Sequence, residues 1–411
     1  MIGVVGATSG RGPSRAGADA GALAAYGPRA VWQRMRDGEL TLLPIAVSLV
    51  AIWVVLGIAN PTFWTPENLV NLSLQSVSTG VIALGIVIVL LVGQIDLSVG
   101  SVSGLSAAIV AVGSVSLGWP LAVGVVVAIA IGMVVGLVYG IAVSRLGLPS
   151  FVLTLAGLLV LAGVQWRVLG TQGSVNLPFE SWLVLFSQSW FLPTVVAWTL
   201  AALVVAGIAT SRLLRRHRRL AAGLPAESMA RVLVRVGIVA AFLALVVGYL
   251  GQARGVGYSV VLFVVLVAVA DLMLRRTRWG RYVRAVGGNR RSALLAGVPV
   301  RRTLVSAFVA CSGLAALGGV LAAGRLAAAN QSTGGGEIFL TAIAAAVIGG
   351  TSLFGGRGSA WSALLGVLVI QSIANGLTLL DLDSAARSIV TGLVLALAVS
   401  IDTLVRGRGS S

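Results

Sequence analysis

Apolar runs of roughly 17 to 25 residues follow one another from Thr41 onward, and they limit the fold of this chain more than any motif does. Hydrophobic residues make up 58% of the chain and charged residues 10%, and the mean hydropathy is +1.02. Within lipid, only helices and closed barrels satisfy every backbone hydrogen bond, and a helix of about 20 apolar residues crosses the hydrocarbon layer. The sequence therefore predicts an all-α fold, a polytopic bundle of transmembrane helices.

We expect about twelve spans of this kind. They are placed near residues 41–60, 68–92, 99–116, 119–144, 150–169, 192–211, 232–250, 256–274, 303–323, 337–353, 359–379 and 386–404. Residues 1–40 are rich in Gly, Ala, Ser and Arg, which predicts a flexible cytoplasmic tail. The transmembrane domain then covers 41–405, and 406–411 form a short C-terminal tail.

The distribution of arginine predicts the orientation of the spans. If the N-terminus is cytoplasmic and every span crosses, 25 of the 29 basic residues fall on the inner side. The outer segments then hold only Arg167, Arg254, Arg325 and Arg387. Cytoplasmic loops carry an excess of Lys and Arg, so this uneven distribution supports the span count and predicts that both termini are cytoplasmic.

The composition excludes several classes of function. The net charge is +17, but the basic residues separate apolar runs and do not form a continuous face with interleaved aromatic residues, which argues against nucleic-acid binding. Cys311 is the single cysteine and His217 the single histidine, so neither a disulfide within one chain nor a Cys/His metal site is expected.

No catalytic residue is expected either. The chain has no phosphate-binding GxxxxGK[ST] loop, no HExxH motif and no Ser/His/Asp set. Asp96, Asp271 and Glu337 lie near predicted span ends, and the middles of the spans are nearly free of charge, whereas ion-driven carriers need ionisable groups buried in the membrane. A conduit of this kind would take its energy from a partner on the cytoplasmic side.

Arg275 to Arg302 is a basic stretch that cannot lie in hydrocarbon, with nine arginines and no acidic residue. Asn289 is a candidate N-cap, and Gly297 followed by Pro299 would stop a helix, so one short helix is expected outside the membrane. Two interpretations fit this stretch. It is an ordinary basic loop that holds the topology, or a capped helix that pushes against a partner.

Two further stretches interrupt the hydropathy with small and polar residues, GQIDLSVGS at 93–101 and GGTSLFGGRGS at 349–359. The second is preceded by the glycine run Gly334 to Gly336. Non-helical backbone at membrane depth must be buried in protein or line a wet cavity, and interrupted segments in two halves of a transporter indicate a transport path. The alternative for each is a tight cytoplasmic turn between two helices.

Five sequence segments carry a family resemblance. They are NLVNLSLQ at 68–75, GQIDLSVGS at 93–101, RWGRYVRAVGGNRRSALLAGVPVRR at 278–302, AAAVIGGTSLFGGRGS at 344–359 and the ending GLVLALAVSIDTL. Together they closely resemble the permease subunits of bacterial ABC importers for monosaccharides, of the ribose and xylose type. The resemblance implies a core of about ten helices, a permease homodimer, two cytoplasmic ATPase domains and a periplasmic sugar-binding protein.

The resemblance also implies roles for particular residues. The coupling helix that seats in the ATPase would include Gly287, Gly288, Asn289, Ala293 and Gly297, flanked by Arg281, Arg284, Arg290 and Arg291. These arginines could pair with acidic groups of the partner or with lipid head groups. An extra helical pair at 191–251, with a cytoplasmic loop, resembles the xylose-type permeases more than the ribose type.

Polar residues near the interruptions are candidates for the translocation path. They are Asn71, Gln75, Gln94, Asp96, Ser98, Gly349, Gly350, Thr351 and Ser352. Asn71 and Gln75 could equally hold helices together. Gln94 departs from the Gly or acidic residue that is common in the family. For Asp96 we favour acceptance of backbone N–H bonds at the start of the next helix over contact with sugar.

The sequence therefore predicts a multi-pass permease of the bacterial plasma membrane that imports a monosaccharide, with a xylose-like pentose favoured. This chain would carry no cofactor, and ATP and magnesium would bind the partner ATPase. Three alternatives stay open. They are import of another small solute (a branched-chain amino acid, a nucleoside or a signalling sugar), a membrane enzyme acting on lipid-linked sugars, and an ion-driven secondary carrier.

Overall fold

The computed structural model describes residues 42–383 and, beyond them, 385–386, 388–390, 392–393 and 396. The predicted tails at 1–40 and 406–411 lie outside the described residues, as does much of the predicted last span.

Helices account for most of the described chain. The long ones are α1 (Leu42–Ala59), α2 (Pro66–Leu91), α3 (Val99–Val115), α4 (Leu121–Ile141), α5 (Ser150–Leu169), α7 (Thr194–Ala221), α8 (Met229–Leu250), α9 (Tyr258–Arg276), α12 (Val300–Leu326), α13 (Gly336–Ile348) and α14 (Trp361–Leu379). The short ones are α6 (Trp182–Gln188), α10 (Arg278–Gly288) and α11 (Arg290–Leu295). The all-α prediction is confirmed, apart from two three-residue strands, β1 (Ser174–Asn176) and β2 (Ala328–Asn330), which pair antiparallel.

The long helices lie where the sequence predicted spans. Eight described helices are long and apolar enough to cross a membrane, and three shorter apolar helices accompany them in the described part of the chain. The count of twelve spans and the orientation of the termini stay predictions.

Three helices, α2, α3 and α12, form the centre of the bundle. The buried share of the apolar stretch is 83% in α2 and 61% in α12, and 13 of the 17 residues of α3 are buried. α12 packs against α2, α3 and α4. Gly85 of α2 meets the backbone of Cys311 on α12, so these two helices approach to backbone contact. Small residues permit this approach, which increases van der Waals contact where lipid supplies no hydrophobic drive.

α4 lies along α12 through a stripe of small residues at every fourth position. The stripe consists of Gly124, Ala128, Gly132, Gly136 and Gly140, all buried. A Cβ at Gly136 would fall on the carbonyl of Phe308 in α12. The opposite face of α4 is exposed, with large apolar side chains such as Val126 and Val134, as expected of a helix that faces lipid.

α7 and α8 form a peripheral hairpin, with only 6% of the apolar stretch of each buried. They pack mainly against each other, and the loop between them is held by Glu227, which pairs with Arg235 at 2.7 Å and Arg212 at 3.6 Å. Leu250 joins Val70 and Leu74 of α2 in a small apolar cluster. The predicted extra pair at 191–251 is thus a helical hairpin added to the outside of the core.

Candidate functional site

α10 is an amphipathic helix laid against one end of the bundle. Thr277 caps it by accepting the N–H of Gly280 on Oγ1 at 3.2 Å. Gly280, Val283 and Val286 form its buried stripe at three-residue spacing. The indole of Trp279 donates to the hydroxyl of Ser306 on α12 at 2.8 Å. α10 is therefore fixed to α12 by both packing and hydrogen bonding.

Asn289 joins α10 to α11. It ends the first helix, and its Oδ1 accepts the N–H of Ser292 at 2.9 Å as N-cap of the second. α11 stops before Gly297, which has the left-handed φ of 76°. The expectation of one short helix was wrong in number. α11 follows the predicted cap Asn289, whereas α10 begins after Thr277, an N-cap residue that the sequence analysis did not use.

The predicted coupling residues lie on both helices. Ala293 is buried, while Asn289, Arg290 and Arg291 are exposed on α11. On α10, Arg281 is exposed and Arg284 half-buried. The arginines therefore surround a docked pair of helices, with their charges free to meet a partner or lipid.

Glycines from three separate motifs meet beside α10, and we call this contact the glycine junction: Gly93, Gly287, Gly355 and Gly356. A Cβ on Gly287 would fall on the carbonyl of Leu91 and 2.7 Å from the nitrogen of Gly356. The N–H of Gly356 donates to the same Leu91 carbonyl at 3.0 Å. α10 is therefore in direct backbone contact with the end of α2 and with both interrupted segments.

Large apolar side chains project from the same end of the molecule. Leu294 and Leu295 of α11 are 63% and 83% exposed, and Phe354, next to the glycine junction, is 82% exposed. The sequence reasoning missed these three residues. The signal was present, because two leucines and a phenylalanine stand in segments too polar to be spans, and exposed apolar groups there mark a binding surface.

Asp96 lies fully buried where the chain enters α3. Its Oδ1 accepts the N–H of Ser98 at 2.9 Å and the Ser98 hydroxyl at 2.7 Å. Its Oδ2 has no hydrogen-bond partner among the described residues, and Ser312 and Cys311 of α12 lie near the carboxyl group. The carboxylate thus accepts a backbone N–H beside the helix start, which is the geometry that favours a structural role.

The segment 93–98 runs into the bundle in non-helical form before α3 begins. α5 holds this segment, since the Leu97 N–H donates to the Thr154 hydroxyl at 3.1 Å. In the first turn of α3, the Ser101 hydroxyl donates to the carbonyl of Leu158 on α5 at 2.8 Å. Leu158 is eight residues, or about 12 Å, along α5. α3 therefore starts inside the bundle, and this interruption is no simple surface turn.

A second non-helical segment, 330–335, descends toward α3 from the opposite end. Gln165 of α5 holds it by donating to the carbonyls of Asn330 at 3.0 Å and Thr333 at 2.8 Å. A Cβ on Gly100 would lie 2.7 Å from the carbonyl of Gly334. Segment 330–335 thus packs inside the bundle on the first turn of α3, directly after segment 93–98. Transporters use non-helical segments of this kind to surround their substrate.

The other interrupted stretch, 349–359, is a turn between α13 and α14 at the end that carries α10. Gly349 packs against the backbone of Ser362, and Gly350 has a φ of 92°. Thr351 and Ser352 are buried, and the N–H of Ser352 donates to the carbonyl of Arg357 at 2.9 Å. For this stretch the turn alternative describes the backbone, and the segment that meets the start of α3 in the interior is 330–335.

The remaining path candidates are dispersed. Asn71 accepts a hydrogen bond from Arg254 near the far end of α2, and Gln75 is half-buried one turn further along. Gln94 bonds the carbonyl of its neighbour Gly93 at 2.9 Å. The structure therefore brings together Gln94, Asp96 and Ser98, and leaves Asn71 and Gln75 apart from them.

Comparison with known proteins places the chain among permeases. Residues 68–399 match the family described as branched-chain amino acid transport system / permease component. The xylose transport system permease protein XylH of Escherichia coli K12 is 34% identical over 364 residues, covering 89% of this chain and 91% of that protein. XylH of Haemophilus influenzae is 33% identical, over 88% of this chain and 96% of that protein.

The ribose import permease protein RbsC of Bacillus subtilis is 31% identical over 89% of this chain and 94% of that protein. No solved structure matches the chain. The match extends through the glycine junction, the interior contact of 93–98 and both short helices α10 and α11. By this coverage and identity, the chain belongs to the branched-chain amino acid transport system / permease component family.

Proposed function

We propose that this chain is the membrane permease of an ATP-binding-cassette importer for a monosaccharide, with a xylose-like pentose as the favoured substrate. The observation that carries the proposal is the 34% identity to a xylose permease over 89% of the chain. The chain is a multi-pass protein of the bacterial inner membrane, and the relatives are named as permeases, not enzymes.

The partner that drives the permease docks on α11 and Phe354. Leu294, Leu295 and Phe354 supply apolar anchors, and Arg290 and Arg291 supply charge around them. ATP and magnesium bind this partner, a cytoplasmic ATPase, and the permease contributes no group to hydrolysis. A second copy of the chain and a sugar-binding protein on the outer side complete the importer.

Movement of the ATPase reaches the interior of the bundle through the glycine junction. When the ATPase closes, it displaces α11 and α10 as a rigid body, because Trp279 and the buried stripe hold α10 in one orientation. Gly287 passes the displacement to Leu91 and Gly93. The segment 93–98 then shifts relative to α5 and to 330–335, where the path opens.

Reconstitution with the ATPase and the binding protein tests this function. Leu294→Asp with Leu295→Asp should abolish sugar-stimulated ATP hydrolysis and uptake, because it places charge in the apolar contact. Leu220→Asp with Leu224→Asp, at the exposed end of the α7–α8 hairpin, is the matched control and should transport normally. Uptake by the permease alone, driven by an ion gradient, would contradict the proposal.

Import of a branched-chain amino acid is the second candidate, because the family description names that solute. Direct binding measurements on the partner binding protein separate the two. Xylose or ribose binding with no binding of leucine supports the sugar, and the reverse result assigns the amino acid.

A further inference from the structure

A long groove runs between α4 and α12 on the outer face of the bundle, with a volume of about 1010 Å³. Its walls are apolar along most of their length, including Ile129, Met133, Leu137, Val309 and Leu317. The stripe of small residues brings the two helix backbones together at its floor. The wall residues of α4 and α12 therefore lie on opposite sides of one continuous groove.

One end of the groove is strongly basic. Arg145 from the end of α4 and Arg301 and Arg302 from the first turn of α12 line it, next to the hydroxyls of Ser144 and Ser306. All three arginines are exposed, and within the described part of the chain none has an acidic partner. No acidic residue lines the groove. Its polar end is thus suited to an anion.

The backbone itself brings Arg145 to this position. α4 does not stop at Ile141 but continues through a π-helical turn, Ala142–Leu146, that ends at the left-handed Gly147. Such turns shift the side chains that follow them around the helix axis and are frequent at functional sites. Here the turn carries Ser144 and Arg145 at the basic end of the groove.

The dimensions match one leaflet of a membrane. From Arg302 to Leu317 is 15 residues, or about 22 Å of helix. Half of a hydrocarbon layer is about 15 Å thick, so an acyl chain can lie along the apolar walls while its phosphate stays at the arginines. We propose that this groove is a binding site for one anionic glycerophospholipid of the cytoplasmic leaflet, held through its phosphate by Arg145, Arg301 and Arg302.

A second copy of this chain is a poorer occupant. If a second copy packed symmetrically on this face, its own unpaired arginines would lie close to those of the first copy. Repulsion between like charges opposes such a contact. Phosphate, in contrast, accepts bidentate hydrogen bonds from arginine, and each basic residue near an anionic surface strengthens binding by about 1 kcal/mol, or about fivefold.

The full chain in nanodiscs of phosphatidylcholine with a minor fraction of phosphatidylglycerol tests the site. After extraction, native mass spectrometry measures the phosphatidylglycerol retained, and titration measures its affinity. Arg145→Gln, Arg301→Gln and Arg302→Gln together should weaken binding roughly 100-fold. The matched control, Arg215→Gln, Arg218→Gln and Arg219→Gln on α7, removes the same charge away from the groove and should retain the lipid.

A steric variant tests the apolar part independently. Gly313 lines the groove, and a side chain there meets only the flexible end of Met133, so Gly313→Leu fills the groove without striking backbone. It should abolish lipid retention. Gly237→Leu, on the exposed face of α8 where a Cβ meets nothing, should not.

Several results would overturn the proposal. Equal loss in both arginine variants would mean diffuse attraction, and equal retention of phosphatidylcholine would mean ordinary boundary lipid. If Gly313→Leu retained phosphatidylglycerol as well as the wild type does, and inorganic phosphate competed with that lipid, the three arginines would form a site for a free anion. A disulfide between two copies through Met133→Cys would show that a second chain fills the groove.

Discussion

At the scale of single residues, glycine carries the most information in this molecule. Gly287 and Gly288 are adjacent in sequence and were assigned the same role by resemblance, yet their surroundings differ. A Cβ on Gly287 would strike the backbone of Leu91, whereas a Cβ on Gly288 would meet nothing. The resemblance assigned both glycines to the helix that seats in the ATPase, and only the folded chain reveals that Gly287 contacts the backbone of its own chain.

Gly287→Ala should uncouple the permease, because the glycine junction must open to admit the methyl group. Overpacking of this kind costs about 1–3 kcal/mol and here displaces α10 from α2. Sugar-stimulated ATP hydrolysis in proteoliposomes should fall sharply. Gly288→Ala should leave it near the wild-type level, and equal effects of the two substitutions would contradict the contact.

Asp96 offers a second test at this scale. Asp96→Asn keeps an oxygen that can accept the Ser98 N–H, so the thermal stability of the detergent-solubilised protein should change little. Asp96→Ala leaves that buried N–H without its acceptor and should cost about 1–3 kcal/mol. If Asn and Ala were equally destabilising, the ionised carboxylate, and not its accepted hydrogen bonds, would be the important feature.

At the scale of elements, the length of an apolar run predicted the position of a helix reliably. The polar interruptions between runs did not predict the course of the backbone. The helices from α1 to α14 that lie in lipid coincide with predicted spans because each must satisfy its own backbone over a membrane thickness. For segment 93–98 the sequence left open both a segment buried in the bundle and a tight turn between helices. Its course into the bundle depends on acceptors and donors from α5, such as Thr154, which lie more than fifty residues away.

The cap between α10 and α11 can be tested by substitution at Asn289. Asn289→Ala removes the acceptor for the Ser292 N–H and should destabilise α11 by about 1 kcal/mol. α11 has only six residues, so its loss of order should lower the affinity for the ATPase severalfold, measured by co-purification or titration. Asn289→Asp restores an acceptor and should recover the affinity, and failure to recover would argue against the capping role.

At the scale of the whole molecule, the permease is a core of helices around α2, α3 and α12, with a hairpin added at its edge. The core was predictable as a set of spans, but the order of burial among them was not, because nearly all of the spans are uniformly apolar. What distinguishes α2 and α12 is the neighbours that small residues admit, as Gly85 admits Cys311.

The predicted orientation is testable through the hairpin loop. Cys311 is buried, so a cysteine introduced at exposed Leu220 would be the reactive thiol of the described chain. A membrane-impermeant maleimide should label Leu220→Cys only in inverted vesicles. Phe179→Cys, in the segment after α5 that is predicted to lie outside, should label only from the external side of intact cells.

The packing of 330–335 on the first turn of α3 has one further consequence. Gly100 and Gly334 have no side chains, so their backbones touch directly, and neither residue can fill a gap that opens between them. A displacement of little more than the width of one water molecule therefore lets water enter between the two backbones.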